Sequence, residues 1–124
     1  MIINGKKYKY RFLNQEFHCA LDVTMHYIGG KWKAVVLWYL RRGKKRFKEL
    51  KELIPDITDK MLSIQLKALE EDGIIKRTVY PEVPPRVEYE ISEEGKSIIP
   101  LIEAIAHWGR TKAESEGKLV EIEE

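Results

Sequence analysis

Residues 46–91 read RFKELKELIPDITDKMLSIQLKALEEDGIIKRTVYPEVPPRVEYEI, and this stretch decides the fold. Its first half has apolar residues at helical spacing, interrupted by a proline, so it predicts two helices over 46–54 and 58–72. Three leucines at i, i+4 and i+7 form the apolar face of the second helix: Leu62, Leu66 and Leu69. The second half alternates like β-strands around a proline-rich turn, which predicts a hairpin over 74–91.

A helix, a tight turn, a helix and a hairpin in this order predict a winged helix-turn-helix. Further apolar periodicity predicts helices over 14–28 and 31–42 before the motif and over 92–115 after it. The expected fold is therefore mainly α with a small β-hairpin wing, in one domain over 1–124, with helices added at both ends for dimerisation. The usual ligand of such a motif is duplex DNA.

The two ends of the chain differ in composition. In residues 1–13, Asn4-Gly5 suits a tight turn with positive φ, and aromatic and basic residues then alternate. This pattern predicts a short hairpin or a basic arm, and a frayed tail is the alternative. Residues 116–124 are rich in glutamate, which predicts a loose acidic tail.

The composition is that of an ordinary globular protein. The chain has 124 residues, of which 44% are hydrophobic and 34% are charged, enough for one domain with a single core. Its one cysteine excludes an intramolecular disulfide framework and agrees with a reducing compartment. Because no apolar run could span a membrane and the N-terminus does not resemble a signal peptide, we expect a cytoplasmic protein without a membrane partner.

Basic and acidic residues are separated along the chain. Residues 1–62 carry 14 Lys and Arg against 6 Asp and Glu, whereas residues 63–124 carry 8 against 14. Eight basic residues and no acidic one lie between Lys31 and Lys48, both included. A basic half joined to an acidic half indicates a polyanionic partner contacted by one face, unless the basic surface is merely solvated.

The polar face of the 58–72 helix has the side chains that reading of base edges requires. Lysine can donate to guanine, serine to several base edges, and apolar atoms can contact the thymine methyl group. The residues predicted to face the bases are Lys60, Met61, Ser63, Ile64 and Lys67. Those predicted to contact phosphates are Lys31, Arg46, Thr58 and Arg86. The hydroxyl of Thr58 is also expected to cap the helix, and the alternative for Arg86 is an ion pair with a neighbouring glutamate.

The last helix carries more apolar surface than the core of a small domain needs. Such a terminal helix often packs against its copy in a dimer, and the alternative is packing only within its own domain. Together with the first helix it gives the expected dimer interface: Leu21, Met25, Leu101, Ile102, Ile105 and Trp108. Pro100 lies within this apolar stripe and predicts a kink or an early break. A two-fold dimer would place its recognition helices about 34 Å apart, on an inverted-repeat operator.

Several of these segments together resemble the HxlR-type transcriptional regulators, winged-helix proteins related in architecture to the MarR group. The resemblance extends from Cys19 to Gly109, and the wing and the Lys60-Met61-Leu62 step carry it most specifically. The matching segments are GGKW (29–32), RFKEL (46–50), IPDITDKMLSIQLKALEEDGII (54–75), YPEVPPRVEYEIS (80–92) and Trp108-Gly109.

The resemblance implies homodimers formed by the first and last helices, a fourth helix that reads DNA, control of nearby promoters and no catalytic centre. Many members have a cysteine near the start of the first helix, which matches Cys19, and in some the thiol senses electrophiles or oxidants. The alternative for Cys19 is a small buried apolar residue without a sensing role. This chain departs from the family pattern at Ala20, where members commonly have proline, and in its longer and more basic N-terminal extension.

Other classes of function find little support in the residues. The chain has no GxSxG motif and no glycine-rich phosphate loop, so we predict no enzymatic activity and no cofactor. Its histidines and its cysteine lack the paired spacing of a metal site, so we predict no metal. The rival to a DNA-binding regulator is a winged-helix module that binds an acidic partner protein. Neither the operator, nor the sign of regulation, nor a small-molecule effector follows from the sequence.

Overall fold

The computed structural model describes residues 1–122 of the chain. Within them the strands are β1 (Ile2–Ile3), β2 (Lys6–Lys7), β3 (Tyr10–Phe12), β4 (Gln15–Phe17), β5 (Ile75–Tyr80) and β6 (Arg86–Ile91). The helices are α1 (Ala20–Ile28), α2 (Lys33–Leu40), α3 (Phe47–Leu53), α4 (Asp59–Glu71), a 3₁₀ helix (Glu94–Ile98) and α5 (Ile99–Glu116). This order of elements confirms the predicted winged helix-turn-helix.

Helix α2 lies at the centre of the core. Its Val36, Leu37 and Leu40 are buried, and it packs against α1, α3, α4, α5 and β6. Around it lie the other buried apolar side chains of the core: Ile28, Leu50, Ile54, Ile57, Leu62, Leu66, Leu69, Ile75, Ile91 and Ile102. A helix with so little polar surface is stable only where apolar neighbours surround it, so the prediction of a central helix within 31–42 is confirmed.

Helices α3 and α4 form the helix-turn-helix. Thr58 ends the turn, and its Oγ1 accepts a hydrogen bond of 3.0 Å from the backbone N–H of Met61, which confirms the predicted N-cap. The three leucines on one face of α4 are buried against the core. The opposite face of α4, which carries Lys60, Ser63 and Lys67, is exposed to solvent, and this positions the candidate site.

Strands β5 and β6 form the wing and pair antiparallel over their whole length, with Tyr80 opposite Arg86 at the tip. The loop between α2 and α3 joins this sheet, because the backbone N–H and C=O of Lys45 both bond to Tyr89 at 2.9 Å. Within the wing, Lys76 lies opposite Glu90 and Arg77 lies opposite Tyr89. The basic loop before α3 is thereby fixed against the wing.

The N-terminal segment forms two small hairpins. The first turns at Asn4-Gly5, where φ is 52° and 76°. The second turns at Leu13-Asn14, where both φ angles are 55°, so that β4 pairs back onto β3. These two hairpins occupy residues 1–17 and lead directly into α1.

The predicted helix over 14–28 is wrong in its first part, because α1 begins only at Ala20. Phe17 has helical spacing from Leu21, but it is buried from strand β4 and not from a helix. Its ring lies 4.8 Å from that of Phe12 and 5.6 Å from that of His26, measured between centroids. Phe17 therefore packs against aromatic rings from a strand, and not from the first turns of a helix.

The C-terminal apolar stripe is divided between two elements. Pro100 lies in the first turn of α5, where the missing N–H breaks no helical hydrogen bond, and it marks the predicted early break next to the 3₁₀ helix. Ser92 Oγ accepts a hydrogen bond of 2.9 Å from the backbone N–H of Gly95 in the preceding 3₁₀ helix. Ile102 is only 3% exposed and belongs to the core of its own protomer, which corrects its expected place in a dimer interface.

Helix α5 ends at Glu116, and residues 117–122 have no regular secondary structure. The last two residues of the predicted acidic tail over 116–124 lie outside the described part of the chain.

Among residues 1–122, no helix combines the length and the apolar character needed to cross a membrane.

Candidate nucleic-acid interface

The outward face of α4 forms one continuous exposed stripe. Lys60, Ser63, Ile64 and Lys67 lie at i, i+3, i+4 and i+7, and all four side chains are exposed. Ile64 is 48% exposed, although the same helix buries three leucines on its other face. These four residues, which we call the reading stripe, are therefore brought together on one rigid surface.

Met61 differs from the other predicted base-reading residues. It is half-buried against the core, and its Sδ accepts a hydrogen bond of 3.1 Å from Gln65 Nε2. Met61 therefore lies at the edge of the reading stripe and not within it, which corrects the prediction. Sequence patterns did not single out Gln65, although its position four residues after Met61 places both on one side of the helix and its amide suits adenine.

Three of the predicted phosphate contacts are exposed. Arg46 stands at the N-cap of α3 with its side chain in solvent. Thr58 is exposed at the start of α4, but its hydroxyl already accepts the bond from Met61. Lys31 lies just before α2, with its Nζ 4.7 Å from the centre of the Trp32 ring. The structure thus leaves the cations of Arg46 and Lys31 available at the surface.

The cations near the reading stripe differ in whether they have an acidic partner. Within residues 1–122, Arg46, Lys60 and Lys67 form no ion pair. Unpaired surface cations keep their full attraction for a polyanion, whereas a paired cation must first give up its partner. These three side chains are therefore the strongest candidates for contacts to DNA.

The wing adds further cations beside α3. Because Lys45 pairs with Tyr89, the loop residues Lys44 and Lys45 lie against the sheet. Lys44 Nζ is 3.6 Å from Glu90 Oε2. Hydrogen bonding to the Tyr80 hydroxyl and the nearby Glu90 carboxylate raise the pKa of Lys44, so its charge is retained throughout the neutral range.

Arg86 is held within the wing. The guanidinium lies 4.0 Å from the centre of the Tyr80 ring, and Nη2 is 3.5 Å from Glu82 Oε1. This is the glutamate pairing that was the alternative to a DNA contact. A phosphate contact by Arg86 would therefore require the side chain to leave Glu82.

Lys51 connects α3 to the start of α4. Its side chain is 28% exposed, its Nζ donates to the carbonyl oxygen of Ile57, and the same Nζ is 3.8 Å from Asp59 Oδ1. Neither Lys51 nor Asp59 stood out in the sequence, because only the folded turn brings them together. Asp59 is nonetheless the first residue of α4 and lies next to Lys60 of the reading stripe.

Apolar side chains on α1 and α5 remain uncovered in the protomer. The exposed members of the expected dimer interface are Leu21, Met25, Leu101, Ile105 and Trp108. Trp108 is 69% exposed. The two helices are neighbours, since Val23 and Tyr27 of α1 line the same groove as Leu101. An apolar surface on two adjacent helices is typical of a protein–protein interface.

Cys19 is a free, half-exposed thiol at the N-cap of α1. Next to it, the backbone N–H of His18 donates to Asp22 Oδ2 at 2.9 Å. His26, in the same helix, packs between the rings of Phe17 and Tyr27, and its Nε2 lies 3.8 Å from Asp72 Oδ1. Within residues 1–122, no three His, Cys, Asp or Glu side chains gather in a metal-binding arrangement.

Comparison with known families decides the class of this protein. Residues 27–117 match the family model described as HxlR-like helix-turn-helix. The chain belongs to this family. The match includes the helix-turn-helix, the wing and α5, and it leaves out the hairpins over 1–17.

Curated relatives of this HxlR-like protein carry the same description. It is 50% identical over 97 residues to an uncharacterized HTH-type transcriptional regulator of Methanothermobacter thermautotrophicus, covering 78% of this chain and 74% of the relative. It is also 50% identical over 95 residues to the HTH-type transcriptional regulator YtcD of Bacillus subtilis, and this match covers 77% of this chain and 75% of the relative.

Solved structures agree with this family. The crystal structure of the regulator YtcD has a TM-score of 0.73 at 49% identity and covers 77% of this chain and 98% of its own. The redox regulator HypR in its oxidized form has a TM-score of 0.73 at 43% identity, and the match covers 75% of this chain and 96% of HypR. This HxlR-like protein is therefore a transcriptional regulator of the helix-turn-helix type and not an enzyme.

Proposed function

We propose that this regulator is a homodimer that binds an inverted-repeat operator in duplex DNA. Helix α4 enters the major groove, and the wing contacts the backbone or the minor groove. The observation that carries this proposal is the reading stripe, exposed on a helix whose other face is fixed by buried leucines. Donors and apolar atoms held on one rigid face are what the reading of base edges requires. Such a protein would act in the cytoplasm, on the promoters it controls.

The charges of α4 favour insertion by its N-terminal end. Lys60 lies in the first turn, whereas Glu70, Glu71 and Asp72 lie at the other end. Phosphates would repel the acidic end, and the free backbone N–H groups of the first turn attract them. Arg46 lies at the start of α3, at the end of that helix away from the turn, and its exposed guanidinium is proposed to contact the DNA backbone.

The dimer follows from the uncovered apolar surfaces of α1 and α5. Two-fold symmetry would present the same surface from each protomer and hold two copies of α4 on one face of the DNA. Recognition helices about 34 Å apart fit successive major grooves one helical turn apart. The operator would then be an inverted repeat with half-site centres about 10 base pairs apart.

Lys60→Ala should weaken operator binding more than it weakens binding to a random duplex. A base contact contributes about 1–3 kcal/mol, and only on the correct sequence. Arg46→Ala is the matched control, since loss of a phosphate contact should weaken both complexes alike. It should also reduce the salt slope, the steepness with which the logarithm of the binding constant falls with the logarithm of the salt concentration, by about 1. Fluorescence anisotropy over a series of salt concentrations gives both Kd values.

Two results would change these roles. Equal losses on both duplexes would make Lys60 a phosphate contact. An unchanged salt slope in the Arg46 variant would remove Arg46 from the interface.

We also propose that thiol chemistry at Cys19 controls DNA binding. The thiol is half-exposed at the start of α1, a helix that we place in the dimer interface. The similarity to the redox regulator HypR supports this role. Oxidation would join Cys19 to a second thiol in a disulfide, and the oxidant would take up the two electrons and two protons released. This bond would alter the packing of α1 and, through the dimer, the spacing of the two copies of α4.

Cys19→Ser should bind the operator as tightly as the wild type and should no longer respond to the thiol oxidant diamide. Since the chain has one cysteine, a thiol-specific response must involve this residue. The measurement is the operator Kd before diamide treatment, after it, and after added reductant. A wild-type Kd that is the same in all three conditions would contradict thiol control.

A further inference from the structure

The first turn of α4 contains a carboxylate that the reading stripe does not include. Asp59 is the first residue of the helix, and its side chain is 78% exposed beside Lys60. Its Oδ1 is 3.8 Å from the ammonium of Lys51, which is itself fixed by a hydrogen bond to the carbonyl of Ile57. An exposed carboxylate on a helix proposed to approach phosphates calls for an explanation, because phosphates repel it.

We propose that Asp59 reads an exocyclic amino group in the major groove, that of cytosine, and that Lys51 is its positioning residue. The inference rests on the proposed function, in which α4 enters the groove by its N-terminal end. A carboxylate can only accept hydrogen bonds, and cytosine N4 is the donor that Asp and Glu contact in this groove. Asp59 would therefore add a selective contact to those of the lysines, which favour guanine.

Lys51 has the burial and the contacts that a positioning role requires. Because its ammonium donates to the carbonyl oxygen of Ile57 in the turn, the cation lies beside the start of α4. From there it attracts one carboxylate oxygen of Asp59 and leaves the other free to accept from a base. The same cation lowers the repulsion between Asp59 and the phosphates.

A purely structural role for Asp59 is the competing explanation. An acidic residue in the first turn stabilises a helix through the helix dipole, whether or not it contacts DNA. The two roles differ in one observable, because a dipole contribution changes stability and overall affinity but not the preference for a base at one position.

The test compares the duplexes that wild type and Asp59→Ala select from a random pool. We expect wild type to prefer cytosine at one position in each half-site. In the variant this preference for cytosine over the other bases should fall by about tenfold, while the base preferences at all other positions of the half-site stay the same. Asp56→Ala is the matched control, since it removes the same charge from an exposed residue of the preceding turn and should leave every preference unchanged.

Lys51 is tested with a pair of variants. Lys51→Met keeps the aliphatic stem and removes the cation, so it should weaken the preference at the same single position. Lys51→Arg should retain the preference, because it restores a cation near Asp59. In the double variant Lys51→Met with Asp59→Ala, the loss at that position should be no greater than in Asp59→Ala alone. The comparison of wild type with Asp59→Ala decides the role of Asp59 even if Lys51→Met does not fold.

The outcomes separate this inference from the proposed function. If wild type selects an inverted repeat and Asp59→Ala selects the same repeat with unchanged base preferences, Asp59 does not read DNA. If Asp59→Ala loses one preference and Lys51→Met loses none, Lys51 is not its positioning residue. A wild-type pool that stays random would overturn the proposed function, and the inference with it.

Discussion

Trp108→Glu is expected to convert the dimer to a monomer and to lower operator affinity by about 100-fold or more. Large aromatic residues at the centre of an interface commonly contribute most of its binding energy, and Trp108 is 69% exposed in the protomer. A carboxylate in its place would be buried without a partner in both copies. Each half-site would then be bound by an independent monomer, without the high effective concentration that a dimer provides.

The oligomeric state of Trp108→Glu is measured by analytical ultracentrifugation, and its operator Kd by anisotropy. Arg110→Glu is the control, because residue 110 is also exposed on α5 but lies roughly 200° further around the helix. This control should remain a dimer. A Trp108 variant that sediments as a dimer with unchanged affinity would remove α5 from the interface.

Leu66→Ala is expected to have the largest effect on stability, a loss of about 2–5 kcal/mol from the free energy of unfolding. Leu66 is 1% exposed and packs between α4 and the core, so its removal leaves a cavity that the surrounding helices cannot close. The melting temperature should fall by about 10 °C or more. Thermal unfolding followed by circular dichroism measures this change.

Ile64→Ala is the matched control for Leu66→Ala, because it shortens an apolar side chain of the same helix on the exposed face. Its effect on stability should be roughly 0.5 kcal/mol or less. Its operator affinity should nevertheless fall if Ile64 contacts a thymine methyl group. Equal destabilisation by the two variants would mean that the exposed face of α4 also packs within the protomer.

Much of the candidate site could be predicted because α4 is amphipathic, with leucines on one face and mainly polar side chains on the other. Leu62, Leu66 and Leu69 have a spacing that only a helix places on one side, and the stripe opposite them had to face solvent. The N-cap at Thr58 followed from the hydroxyl chemistry of one residue. These inferences depend on neighbours within one helix, which a sequence specifies well.

The predictions failed where contacts between distant segments decide the outcome. Phe17 has helical spacing from Leu21, but a turn with positive φ at Leu13-Asn14 folds it into a strand, and neither residue is a glycine that would have indicated such a turn. Ile102 and Ile105 belong to one stripe, yet only Ile102 is covered by the core. Which of the two is covered depends on where α5 crosses α2, and periodicity does not contain that information.

The measurement that tests the central claim most directly is selection of tight-binding duplexes from a random pool by the wild-type protein at near-physiological salt. We predict recovery of an inverted repeat with half-site centres about 10 base pairs apart, as a dimer with two reading helices requires. A pool that stays random, with weak binding that modest salt abolishes, would contradict sequence reading by α4. Only non-specific electrostatic attraction would then remain, and an acidic partner protein would become the better explanation of the basic surface.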